Sequence, residues 1–304
     1  MNNIEKIPEL LLQRLKQQYN ENELEQIING YNATRKVTIR VNTIKSNLEK
    51  VCEQLEENNI SYKKVLWSET ALIINEAEEE PIQELDIYKN GEIYMQSLSS
   101  MLPPIILNPK QGTDILDMAA APGGKTTQMA AITENKAFIT ACEINKLRAE
   151  RLKYNIEKQG ASSVNIMSAD ARKLDDYFSF NQILLDAPCS GSGTINLNNT
   201  EKQLLFTENF ENKLEKTQTE LLEKAIKLLK NGNEMVYSTC SILFKENENI
   251  INKIIKKANL EVVPIKFEGM EEIPMLPCKI EGALCVCPNE LYEGFFVVKL
   301  KKNK

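Results

Sequence analysis

An apolar run, Asp114-Ile115-Leu116-Asp117-Met118, passes without a spacer into the small-residue turn Ala119-Ala120-Ala121-Pro122-Gly123-Gly124-Lys125-Thr126. A buried strand, a glycine-rich turn and a helix starting near Thr126 form the opening unit of a doubly wound, mostly parallel α/β sheet of Rossmann-like type. In that unit the main-chain N–H groups at the helix start face a ligand. The glycines follow neither Gly-x-Gly-x-x-Gly nor the phosphate loop, so dinucleotides and nucleoside triphosphates lose ground. A wider, alanine-lined turn suits a ligand without phosphates.

Later runs extend the sheet. Ala137 to Cys142, Val164 to Met167, Gln182 to Leu185 and Glu234 to Tyr237 read as strands, and Leu260 to Pro264 as a late candidate. Phe295 to Lys299 fits an antiparallel member near the sheet edge. A helix is expected from Asn212 to Leu229, closed by Asn231-Gly232. Parallel strands deliver their carboxyl ends to one crevice, so the residues following these runs are the candidate site. Glu143 ends the second strand about 20 positions after the glycine turn, where an acid binds ribose hydroxyls. Asp170, after the third, is placed to accept from an adenine amine. Either acid could instead cap a helix. A ribose, an adenine and no phosphates describe S-adenosylmethionine.

The fourth strand ends in Asp186 and opens Asp186-Ala187-Pro188-Cys189-Ser190-Gly191-Ser192-Gly193-Thr194; the fifth leads into Tyr237-Ser238-Thr239-Cys240-Ser241. A lone cysteine is most often a small buried apolar residue. Two of them, each directly after a buried strand and both beside Asp186, point to covalent chemistry on a pyrimidine.

Ahead of Ile93 the text differs. Leu10, Leu11 and Leu15, then Leu24, Ile27 and Ile28, mark two short helices ending at Gly30. Val37, Ile39 and Val41 alternate with Lys36, Thr38, Arg40 and Asn42, predicting a half-buried strand whose basic face could meet a phosphate backbone. Ser46 with Glu49 has capping-box spacing and opens a helix through Leu55. A strand is expected at Ala71 to Ile74, and a loop over Glu76 to Glu80 and Pro81. Residues 1–92 thus read as a small α+β domain, and 93–304 as the catalytic domain.

With 42% hydrophobic residues among 304, the chain can build both cores. No stretch approaches the roughly 20 apolar residues of a membrane span, and Met1-Asn2-Asn3-Ile4-Glu5 has no signal-peptide layout, so a cytoplasmic protein without membrane partners is expected. Seven cysteines then read as reduced thiols. No metal is expected: Cys278, Cys285 and Cys287 cluster, but histidine is absent throughout and no four-cysteine spacing occurs. The missing histidine also excludes Ser-His and Cys-His catalysis. A net charge of −6 weighs weakly against nucleic acid, although Arg35-Lys36, Arg40, Lys45, Lys63-Lys64 and the Lys299 to Lys304 tail offer local positive patches. Such runs are usually solvated faces.

At Asp117 to Thr126, Asp186 to Thr194 and Ser238-Thr239-Cys240-Ser241 the chain resembles the Sun/Nop family of S-adenosylmethionine-dependent RNA cytosine carbon-5 methyltransferases. The resemblance runs from about Ile93 to the end, and Arg40-Val41-Asn42-Thr43 is similar to that family's amino-terminal RNA-recognition-like domain. It implies Cys240 as nucleophile and Cys189 as the thiol that assists release of the methylated base. It implies cofactor contacts from Ala119, Ala120, Ala121, Pro122, Gly123, Gly124, Lys125, Glu143, Arg148, Asp170 and Asp186, with Lys125 and Asp186 also approaching the cytosine. The chemistry needs these groups: carbon 5 is a poor nucleophile until a thiolate adds at carbon 6. Asp186, protonated or sharing a proton with the base, would favour that addition. A free thiol ionises near pH 8.5, and Lys125 is the nearest cation by motif to promote the thiolate. Two departures stand out: Phe244-Lys245-Glu246-Asn247-Glu248 replaces Pro-Glu-Glu-Asn-Glu, and Cys287-Pro288-Asn289 stands where Pro-His is common, without the usual upstream arginine.

The expected partner is RNA, with small-subunit ribosomal RNA ahead of transfer RNA, acted on by a monomer whose target choice rests on the amino-terminal domain and surface loops. A DNA cytosine methyltransferase would instead attack through Cys189, leaving Cys240 structural. A silent RNA-binding assembly factor would need neither thiol.

Overall fold

The computed structural model describes residues 4–76, 78–198 and 206–304, so Met1, Asn2 and Asn3 of the amino-terminal reading and Ala77 of the predicted loop lie outside the described residues. Two helices open the chain, α1 (Glu9–Gln18) and α2 (Glu21–Asn32). Asn20 and Glu23 form a reciprocal capping box at the start of α2. Gly30 does not end α2 but lies inside it, because a Cβ there would come within 2.0 Å of the Pro288 carbonyl oxygen. Leu11, Leu15, Ile27 and Tyr31 bury against the core of the large sheet.

The small domain follows: β1 (Thr38–Val41), α3 (Leu48–Glu57), β2 (Tyr62–Val65), β3 (Ser68–Ile74), α4 (Glu79–Glu84), α5 (Asp86–Lys89) and β4 (Ile93–Met95). Its antiparallel sheet has the order β2-β3-β1-β4. The fourth strand lies past the break expected at residue 92, since Ile93 to Met95 pair along β1. Val51 and Leu55 of α3 pack on Ile39, Val41, Leu72 and Ile74, which gives the domain its own core. The cap of α3 is Asn47, which accepts from Lys50 N at 3.0 Å, in place of the expected Ser46–Glu49 box. Asparagine caps as well as serine, and one residue's shift leaves Ser46 Oγ buried without a partner. The predicted loop at Pro81 is helix α4. Proline is tolerated there because the first helical N–H groups have no intrahelical acceptor.

One expectation fails for all but Lys36, which precedes β1 and is exposed. The basic face of β1 meets protein, not solvent: Thr38, Arg40 and Asn42 are all buried. Arg40 Nε donates to Gln96 Oε1 at 2.9 Å and Nη2 to Thr127 Oγ1 at 3.0 Å, while Asn42 Nδ2 donates to the carbonyls of Gly91 and Gln159. Burial pushes the Arg40 guanidinium down to about 10. Strand periodicity placed these side chains on one face correctly. It does not say whether that face is covered by nucleic acid or by the rest of the chain.

The large-sheet body contains α6 (Leu98–Leu107), β5 (Asp114–Asp117), α7 (Gly124–Ile132), β6 (Phe138–Cys142), α8 (Lys146–Gln159), β7 (Val164–Met167), β8 (Phe180–Asp186), α9 (Glu208–Leu228), β9 (Leu229–Thr239), α10 (Glu248–Ile255), β10 (Leu260–Val263), β11 (Leu284–Val286) and β12 (Phe295–Lys302). The strand order is β10-β12-β9-β8-β5-β6-β7, with β11 added to β12. Strands β5 to β9 are parallel, and β12 is antiparallel between β9 and the edge strand β10. Alternate residues feed opposite layers: Ile183 and Leu185 of β8 join one core, Leu184 the other. The chain winds outward from β5 through β7 and returns to β8, so the switch point, and the crevice it opens, lies between β5 and β8.

The long helix differs from expectation at both ends. Thr207 caps it at Phe210 N, and it ends at Leu228 with Leu229 already extended. Asn231-Gly232 falls within β9, in the bulge between the Phe180–Leu229 and Gln182–Glu234 pairs, where Gly232 takes φ +76°. Lysines of the terminal run lie on β12, with Lys299 paired to Glu234 at 2.7 Å. Among the described residues no helix is long and apolar enough to cross a membrane.

Candidate active site

Three strand ends build the site. At the end of β5, Asp117 is buried and accepts from Thr126 Oγ1 at 2.7 Å, fixing the turn to the first helical residues of α7. Burial pushes its carboxyl up to about 6, with the Thr126 hydrogen bond opposing. The turn contains a cis Ala121-Pro122 bond and Gly123 at φ +111°, a conformation that L side chains rarely adopt.

From that turn Lys125 reaches across to the end of β8. Its Nζ lies 2.7 Å from Asp186 Oδ2 and donates to Ser100 Oγ at 2.8 Å. Burial alone would lower this ammonium; the charge and hydrogen bond of Asp186 outweigh it and raise the group above the ordinary lysine range, with Cys240 adding to the effect. Asp186 Oδ1 in turn accepts from Ser238 Oγ at 2.7 Å. The carboxylate is therefore held by partners from β9 and α7.

The loops after β8 and β9 run side by side. Ala187 N donates to Ser238 O, Gly193 N to Cys240 O and Gly294 N to Gly193 O. A Cβ on Gly193 would lie 1.9 Å from Gly294 O, so glycine is required for this approach. The result is contact between the two thiols, with Cys189 Sγ 3.0 Å from Cys240 Sγ. The hydrogen bond to Cys240, then burial, raise the Cys189 thiol well above its usual range. Either sulfur can be the donor of this contact.

Lys125 and Asp186 border a cavity of about 540 Å³ that is also lined by Asp117, Ala119 to Pro122 and Gly124; Cys189, Cys240, Glu143, Arg148 and Asp170 are not among its lining residues. Arg35, Lys36 and Tyr94, from the segment before β1 and from β4, line it as well. The small domain thus forms part of the wall. Glu143, at the end of β6, is buried, accepts from Asn145 N at 2.8 Å and faces Arg148 Nη1 at 3.5 Å. Arg148 also donates to Ala121 O, tying α8 to the turn. Asp170 accepts from Arg172 N and takes both Arg172 Nε and Nη2, which holds its carboxyl below the usual range.

Three side chains not singled out from the sequence touch the Lys125–Asp186 pair. Ser100 and Ser238 hydrogen-bond to Lys125 and Asp186, and the Phe295 ring lies under Lys125 Nζ at 5.7 Å. Ile144 and Leu147 expose apolar side chains next to Glu143, at 62% and 71%. Among the described residues no group of three or more His, Cys, Asp or Glu could hold a metal ion.

Residues 104–301 match the family described as 16S rRNA methyltransferase RsmB/F, and residues 7–79 match the ferredoxin-like domain of RsmF/B-like methyltransferases. The chain is 35% identical over 277 residues to Ribosomal RNA small subunit methyltransferase F of Shewanella piezotolerans, covering 87% of this chain and 57% of that protein. The protein of the same name from Aliivibrio fischeri is 35% identical over 276 residues, with 88% and 58% covered. The chain thus spans less than two thirds of the length of these relatives. Among solved structures, a methyltransferase homolog protein from Pyrococcus horikoshii is 29% identical, with a TM-score of 0.80 over 97% of this chain and 100% of the other. NSun6 from Pyrococcus horikoshii with SFG shares the fold at 24% identity, with a TM-score of 0.87 and 98% of each chain covered.

Proposed function

The chain belongs to the RsmB/F family of 16S rRNA methyltransferases, and from that premise we propose that it methylates carbon 5 of a cytosine in structured RNA, with small-subunit ribosomal RNA as substrate. The observation that carries this reading is the contact of Cys189 with Cys240 beside the Lys125–Asp186 pair. The names of the curated relatives support the choice of RNA.

The residues fit S-adenosylmethionine. Lys125, the cation of the turn, is committed to Asp186 and Ser100 and so is not free to hold phosphates. Buried Glu143 supplies a carboxylate for a ribose diol, Ile144 an exposed apolar surface for an adenine, and the Ala119 to Gly123 turn with Arg148 closes the floor. Asp170 is held by Arg172, so its contact to the adenine amine would use a remaining lone pair. When bound, the cofactor supplies an electrophilic methyl group on a sulfonium.

The target cytosine is flipped into the cavity. Cys240, in contact with Cys189, adds as thiolate through sulfur to carbon 6, which gives carbon 5 enamine character. Asp186, oriented by Ser238 and Lys125, hydrogen-bonds the ring nitrogen or amine and stabilises the charge that develops there. After methyl transfer a base, water or the Cys189 thiolate, takes the carbon-5 proton, its electron pair re-forms the 5,6 double bond, and Cys240 leaves carbon 6 as thiolate with Cys189 assisting this release. The same reading takes the enzyme to be a cytoplasmic monomer, since one chain supplies both thiols, the cofactor turn and the cavity mouth.

The test is denaturing electrophoresis of wild type, Cys189→Ala and Cys240→Ala after incubation with total cellular RNA and S-adenosylmethionine. A nuclease-sensitive adduct in Cys189→Ala alone is expected, and sequencing the trapped RNA separates ribosomal from transfer RNA. An adduct only in Cys240→Ala would reverse the thiol roles, as in a DNA-type enzyme. Absence of any adduct, with a wild type that methylates no RNA, would overturn the proposal.

A further inference from the structure

Glu246 is buried to 1% exposure at the bottom of the two thiol loops and is not part of the chemistry above. A carboxylate so placed is costly unless its oxygens are satisfied. Here four donors converge on it. Oε1 accepts from Ser190 N at 2.8 Å and Gln218 Nε2 at 3.1 Å; Oε2 accepts from Ser190 Oγ at 2.6 Å and from Ser241 Oγ. Ser190 directly follows Cys189, and Ser241 directly follows Cys240. The carboxylate therefore bridges the loop of each thiol, and Gln218 anchors it to α9.

The neighbouring residue completes the hold on one side only. Asn247 Oδ1 accepts from Thr239 Oγ1 at 2.6 Å and Nδ2 donates to Ser241 O at 2.8 Å, so Asn247 fixes both flanks of Cys240 without touching the Cys189 loop. Tyr237 OH donates to the Glu246 carbonyl at 2.7 Å, so strand β9 locks the backbone from which Glu246 projects.

We propose that Glu246 is a positioning residue that sets the spacing of the two thiols by referring both loops to one buried carboxylate. This rests on the two-thiol reading above for its catalytic consequence but not for its geometric one. Misplacement of reacting groups by about 1 Å costs on the order of 100-fold in rate. Glu246→Ala should therefore lower kcat by about that factor while KM for RNA stays within about threefold. Glu246→Gln should recover most of the loss, because the serine hydroxyls can turn to accept from its amide while Oε1 keeps its two donors.

The geometric test is independent of methylation. Diamide, a diazene, oxidises two thiols to a disulfide, taking their two protons and two electrons to become the hydrazine. Formation of the Cys189–Cys240 cross-link, followed by peptide mass, reports loop proximity. Glu246→Ala should slow it at least tenfold, and Ser241→Ala, which removes one donor should the first variant not fold, should slow it measurably. Unchanged cross-linking in the folded variants would overturn the proposal even if activity fell. Slowed cross-linking in a protein that methylates no RNA would support the positioning role and overturn only the functional reading.

Discussion

Lys125 Nζ and Asp186 Oδ2 lie 2.7 Å apart, joining the turn after β5 to the end of β8 across the switch point of the sheet. The two residues are 61 positions apart in the chain, and only the winding of the sheet brings them together. Neither group can be removed without leaving the other's charge in a largely enclosed site. Lys125→Met and Asp186→Asn should each lower single-turnover methyl transfer by about 100- to 10,000-fold. The double variant should be little worse than either single one, because the pair acts as a unit. Additive losses in rapid-quench assays would show that they act separately.

The approach of the thiol loops depends on Gly193, whose Cβ would meet Gly294 O at 1.9 Å. Main chain cannot rotate aside as a side chain can. Gly193→Ala should cost about 1–3 kcal/mol in stability and should also depress kcat at temperatures where the protein is fully folded. A lowered melting temperature with unchanged kcat would mean that the loops tolerate separation.

Arg40 and Lys36 come from one predicted basic face but should behave oppositely. Arg40, buried in hydrogen bonds to Gln96 and Thr127, should cost about 3–5 kcal/mol when changed to alanine. Its milder replacement, Arg40→Lys, should lower the urea midpoint yet leave the salt dependence of RNA binding unchanged. Lys36 is exposed at the cavity mouth, and Lys36→Ala should reduce the slope of log K against log salt by about 1 with no loss of stability. Filter-binding titrations at several salt concentrations decide both.

That contrast shows where the sequence was legible. Periodicity located β5, β6, β7 and β8, and strand ends drew Asp186, Cys189 and Cys240 to one crevice because parallel strands must deliver their ends there; Lys125 was implied by the family resemblance. The same reasoning placed β12 antiparallel near the edge. It could not show that α1 and α2 pack on the large sheet, where Tyr19 OH donates to Ile242 O and Tyr31 OH to Ser192 O, since those contacts span 223 and 161 positions. Nor could it find Ser100, whose hydroxyl is one of three in Ser97 to Ser100 and is distinguished only by the arrival of Lys125. Asn231-Gly232 read as a helix stop because Gly at positive φ looks alike in a helix cap and in a strand bulge.

Asp117 gives the free protein a pH signature. Its carboxyl ionises at about 6 when folded, against an ordinary 3.8, so the folded state binds the proton more tightly than the unfolded chain. Stability from this group is therefore fully present below about pH 4 and is lost as pH rises through about 6. The displacement of about two units corresponds to about 3 kcal/mol between the ends of that window. Asp117→Asn keeps an acceptor for Thr126 Oγ1 and removes the titration. Urea midpoints measured from pH 4 to pH 7 should show the variant gaining on the wild type as pH rises, with most of the gain between pH 4 and 6. Parallel curves would mean that Asp117 keeps an ordinary carboxylate affinity for its proton in the fold.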